Sequence, residues 1–123
     1  MDTNLVLRDG SVHLTADETL TAVVVGPMKE PMWVHVLCPV AESNIGATHK
    51  LDVELELCDD TPTEKANMNM AQINAAGLYS IPFFTLYTKL QVKLNITDDG
   101  GGDLDLAHVK VWISPANRYS KAV

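Results

Sequence analysis

The 123 residues include only two cysteines, Cys38 and Cys58, too few for the disulfide framework of a small secreted domain. Aromatic side chains are scarce at 6%, and basic residues are outnumbered, 9 lysines and arginines against 16 aspartates and glutamates. The net charge of −7 argues against direct nucleic-acid binding, which needs concentrated positive charge. An anionic membrane surface is disfavoured for the same reason. No apolar run approaches the roughly 20 residues of a transmembrane helix. Met1 to Asp9 lacks a basic stretch followed by an apolar core, so no signal peptide is expected, and synthesis in a cytoplasm is. Internal repeats, low-complexity tracts and linkers are also missing, which points to one domain over residues 1–123.

What remains is a globular composition, 46% hydrophobic and 20% charged. A chain of this length buries enough surface to fold without a metal or disulfide staple. Leu51-Asp52-Val53-Glu54-Leu55-Glu56-Leu57 alternates strictly, which puts four aliphatics on one side of a strand and three carboxylates on the other. Lys89-Leu90-Gln91-Val92-Lys93-Leu94-Asn95-Ile96 and His108-Val109-Lys110-Val111-Trp112-Ile113 show the same period. One apolar and one polar face is the mark of an antiparallel sheet with a wet side. Residues 20–25 and 32–38 are almost continuously apolar, so strands covered on both faces are expected there. Weaker strand candidates are residues 12–14, 67–73 and 78–84; Pro82 assigns the last to an edge or a strand end. Turn signals separate these segments, among them Asp9-Gly10, Gly26-Pro27 and Ala75-Ala76-Gly77. About eight short strands and no amphipathic helix predict an all-β antiparallel sandwich or barrel. The terminal stretches, roughly 1–12 and 114–123, read as extended arms.

Candidate chemistry is sparse. Asp98-Asp99-Gly100-Gly101-Gly102-Asp103-Leu104-Asp105 carries carboxylates on a flexible loop, a setting that suits calcium. Its spacing matches no known calcium loop, and Asp and Gly also build exposed hairpin loops, so a solvated loop is expected. His13, His35, His49 and His108 form no closely spaced pair. His35 is expected as a hydrogen-bonded sheet residue and His108 as an exposed one, with no metal site and no cofactor. Cys38 and Cys58 are expected as free thiols facing different sides of a sheet. No nucleophile elbow or phosphate loop is present, and Glu54 and Glu56 belong to a solvated stripe, so no enzyme is expected. Asn95-Ile96-Thr97 matches a glycosylation acceptor only by chance if the chain is not secreted. Trp33 is expected in the core. Trp112, on the polar parity of its strand, is expected as an exposed contact to protein or sugar.

The order of segments carries a resemblance. Leu5-Val6-Leu7-Arg8-Asp9-Gly10 is followed by the 51–57 strand leading into Asp59-Asp60. Met70-Ala71-Gln72-Ile73 then runs through Gly77 to Pro82-Phe83-Phe84-Thr85, and Trp112-Ile113-Ser114-Pro115-Ala116-Asn117-Arg118-Tyr119 closes the pattern. In this the chain resembles the small jelly-roll cement, or decoration, proteins of tailed bacteriophages. It departs from them in the long 98–105 loop and the two cysteines. The resemblance implies a jelly-roll-like sandwich on the outer capsid surface of the virion, commonly a homotrimer. It would clamp neighbouring major capsid protein subunits against the pressure of packaged DNA. The arms would carry much of that contact, with Arg8, Trp112, Arg118 and Tyr119 as anchors. Alternatives are another minor virion component of connector or tail, and a carbohydrate-binding or host-attachment sandwich.

Overall fold

The computed structural model describes residues 5–40, 45–46, 49–59, 65–98 and 108–115. The strands are β1 (Leu5–Arg8), β2 (Glu18–Thr19), β3 (Val23–Val24), β4 (Met32–Cys38), β5 (His49–Cys58), β6 (Lys65–Asn69), β7 (Gly77–Phe83), β8 (Lys89–Asp98) and β9 (Lys110–Pro115). No helix occurs among the described residues. One sheet has the order β1-β9-β4-β7; the other has β2-β8-β5-β6, with β3 also on β8. Every pairing is antiparallel. Both sheets feed one apolar core, so the architecture is the β-sandwich that the strand count predicts.

The β5–β8 pair shows why the sequence folds this way. Its register sets Val53 against Leu94, Leu55 against Val92 and Leu57 against Leu90, all buried. Glu54 then faces Lys93, and Glu56 faces Gln91, on the other side. A slip of one residue would move the carboxylates into the core, so the alternation itself specifies the register. In the opposing sheet, Val34 and Val36 of β4 and Val111 and Ile113 of β9 complete the interior. Pro82 lies in β7, which among the described residues pairs with β4 alone; an edge strand tolerates the missing backbone donor.

Several expectations are corrected. Residues 20–25 do not form one doubly covered strand. β2 and β3 are two-residue strands laid along the margin of β8, bridged by the Leu20 amide donating to the Val92 carbonyl at 2.9 Å. Only one side of that margin meets the core, which leaves Val24 73% exposed while Leu20 is buried. Residues 12–14 form no strand: Leu14 alone is driven into the core, and Val12 stays outside. The described part of the expected N-terminal arm is a sheet strand, β1, with Leu5 opposite Ile113 and Val6 opposite Trp112. Ser114 and Pro115, expected to open the C-terminal arm, end β9. Cys38 and Cys58 are free and buried, on β4 and β5 of different sheets.

Candidate docking face

The two outer faces of the sandwich differ in chemistry. Outside β5, β6 and β8, alternation places Lys50, Asp52, Glu54, Glu56, Lys65, Lys89 and Lys93. Three of these charges pair directly, with Glu56 between two lysines. Lys93 Nζ donates to Glu56 Oε2 at 3.1 Å, and Lys65 Nζ lies 3.4 Å from Oε1. The Lys93 hydrogen bond, with further help from Lys65, holds the Glu56 carboxyl below the usual carboxylate range. Asp52 accepts from Gln72 Nε2 at 3.0 Å and from Thr97 Oγ1 at 3.0 Å. Glu56 itself is buried, against the expectation of a solvated position, because Lys65 and Lys93 close over it; the other charged side chains of the face keep contact with water.

The outer face of β1, β9, β4 and β7 has the opposite character. The registers align Val6, Trp112, His35 and Ser80 in one row across the sheet. Trp33 and Pro82 lie on one side of that row, and Leu37 and Leu78 on the other. Lys110 is the one charged side chain that alternation puts there among the described residues. Val6 is 46% exposed and Leu78 56% exposed, so apolar surface is presented to the outside.

His35 organises the centre. Though on the outer side of β4, it is fully buried. Its Nδ1 lies 2.7 Å from Ser80 Oγ and its Nε2 2.7 Å from Ser114 Oγ, so one hydroxyl donates to the ring and the other accepts from it. The Trp112 ring stacks on it at 5.1 Å between centroids and 28° between planes, and Trp33 lies at 6.5 Å and 13°. Burial pushes the His35 pKa down, which keeps the ring neutral. Both ring nitrogens engage hydroxyls rather than a carboxylate, so a serine–histidine–acid relay is not assembled. The row ties β7, β4 and β9 together across their outer side.

The expected site residues fall as follows. Trp112 is on the outer face and half-buried, with the Lys110 ammonium 5.4 Å from its ring centroid. Trp33 shares that face, against the expectation of a core position: it has the parity of His35, opposite to Val34 and Val36. Arg8 is engaged inside the domain. Its Nε and Nη2 donate to the two Glu18 carboxylate oxygens at 3.0 and 3.1 Å, and Nη1 donates to the Val109 carbonyl at 2.8 Å. Only 8% of the Arg8 side chain is exposed, so it staples β1 to its neighbours rather than reaching outward. Arg118 and Tyr119 lie outside the described residues, as do residues 99–105 of the acidic loop. Asp98, at the start of that loop, has Oδ1 3.0 Å from His49 Nδ1.

Two associations escape sequence reasoning. The Ser80–His35–Ser114 chain joins three strands, and His13 and His108 meet with their Nε2 atoms 3.1 Å apart. His108 is therefore packed against a partner rather than exposed. Spacing along the chain gives no sign of either, since 95 positions separate the two histidines. No protein-family model matches the chain, and no curated protein matches its sequence.

Proposed function

We propose that the protein is a capsid decoration protein that docks on the outer surface of a phage head and holds neighbouring major capsid subunits together. The observation that supports this most is the asymmetry of the two faces. One is a charged surface, and the other an aromatic and aliphatic surface with a single charge among its described positions. Depletion of charge and enrichment of aromatics mark the centre of protein–protein contacts. A face of this kind on a rigid sheet suits a protein partner. The resemblance in segment order supplies the identity of that partner.

Stable contacts usually bury about 1,200–2,000 Å² in total, more than one small sheet face readily offers. A homotrimer at a threefold position would join three modest contacts, and avidity then raises the overall affinity by about 10²–10⁴. The charged sheet would face solvent. Carbohydrate recognition fits less well, because the Trp112 ring already carries His35 and the Lys110 ammonium. A sugar platform needs an open ring face.

The test is a binding assay on heads stripped of the protein. Leu78→Asp puts a charge at an exposed edge-strand position and is expected to weaken head binding more than tenfold with the fold intact. Glu54→Lys, on the opposite sheet, is expected to leave binding unchanged. Full binding by Leu78→Asp together with loss in Glu54→Lys would overturn the assignment of the face.

A further inference from the structure

We propose that His13 and His108 form a two-nitrogen binding site for a divalent late-transition cation of the zinc, copper(II) or nickel class. The site adjoins the Lys110 end of β9 and does not depend on the function proposed for the outer face. His13 lies in the segment between β1 and β2, and His108 just ahead of β9. Folding brings the rings to 4.3 Å between centroids and 84° between planes, edge to face, with the two Nε2 atoms 3.1 Å apart.

Three features suit a metal. The first is separation. Two nitrogens 3.1 Å apart, each about 2.05 Å from a common ion, subtend about 98° there. That angle lies between the roughly 90° of cis square-planar or octahedral ligands and the roughly 109° of tetrahedral ones.

The second is tautomer control. His108 Nδ1–H donates to the Gly10 carbonyl at 2.7 Å, which leaves its Nε2 as a lone pair. A ligating histidine almost always donates its other ring N–H to a carbonyl or carboxylate in this way. Only glycine fits easily at position 10: its φ is +79°, and a Cβ there would lie 2.9 Å from the His108 carbonyl oxygen.

The third is access. Both residues are half-buried rather than sealed in the core, which leaves a route for an ion from solvent. Without metal, the His13 Nε2–H donates to the His108 lone pair. On binding, His13 carries its proton at Nδ1 instead, its Nε2 lone pair joins the metal, and water fills the remaining positions. Calcium and magnesium, which take oxygen ligands, are not accepted.

The other two described histidines offer no comparable pair. His35 is fully buried with hydroxyls at both nitrogens, and His49 Nδ1 faces the Asp98 carboxylate.

The experiment titrates zinc chloride, and calcium chloride in parallel, into the tag-free, metal-stripped full chain. Imidazole nitrogen NMR and thermal unfolding are the readouts. Zinc is expected to shift the Nε2 resonances of His13 and His108 together and saturably, leave His35 in place, and raise the Tm. Calcium is expected to do neither at these residues. His13→Ala, in a loop where folding is checked by circular dichroism, and His13→Asn are each expected to weaken zinc at least tenfold. Unmoved His13 and His108 resonances, a response confined to His49, or unchanged zinc affinity in the folded His13 variants would each overturn the site.

Discussion

His35 has a consequence for pH dependence that its place in the sheet makes specific. Burial depresses its pKa below the ordinary 6.5, so the folded chain keeps it neutral at a pH where the unfolded chain protonates it. In that window the unfolded state binds more protons, and stability rises with pH. Stability is therefore fully present above about pH 6.5 and declines as the solution is acidified through it. Glu56 acts further down. Its carboxyl, held below 4.5 chiefly by the Lys93 hydrogen bond, contributes stability that is lost as pH falls through its folded value. Urea unfolding from about pH 8 to about pH 2 is expected to show both declines, and His35→Gln to remove the upper one. An unchanged upper decline in that variant would assign it to another group. Arg8 belongs to the same scale. Its charged fork on Glu18 and Val109 predicts a cost of about 1.5–3 kcal/mol for Arg8→Ala, and a double-mutant cycle with Glu18→Gln checks the coupling. Spacing does not reveal that fork, because an arginine near a terminus looks the same whether it reaches out or folds back.

At the level of strands, legibility follows periodicity. β5, β8 and β9 alternate strictly, and each lies within two residues of its expected bounds. β4 is legible as a run, but a run carries no parity. The expectation of Trp33 in the core rests on that run, although counting from Val34 and Val36 assigns it to the other face. β2 and β3 blur together for a related reason: a run of apolar residues records affinity for the core, not how many backbone bonds the margin of β8 offers. Leu55 tests the core these strands build. It is fully buried opposite Val92, so Leu55→Ala is expected to cost about 2–5 kcal/mol. Denaturant unfolding with an unchanged m-value would confirm a cavity; a loss below about 0.5 kcal/mol would mean the site collapses freely.

The whole molecule is a sandwich with one wet, charged face and one largely uncharged face of aromatic and aliphatic side chains. The wet face is visible in the alternation of Asp52, Glu54 and Glu56, because charge on a strand declares its side. The uncharged face is not, because its members come from four strands: Val6, Trp112, His35 and Ser80 are neighbours only once the registers are set. Hydrogen exchange of the protein, free and bound to stripped heads, is expected to show β7 and β9 amides gaining more protection on binding than those of β6. The most direct measurement is the ratio of this chain to the major capsid protein in density-purified particles, by quantitative mass spectrometry. A decoration protein predicts a ratio near one to one, with hundreds of copies per head. A handful of copies would place the chain at a connector or tail, and its absence from the particles would contradict the account.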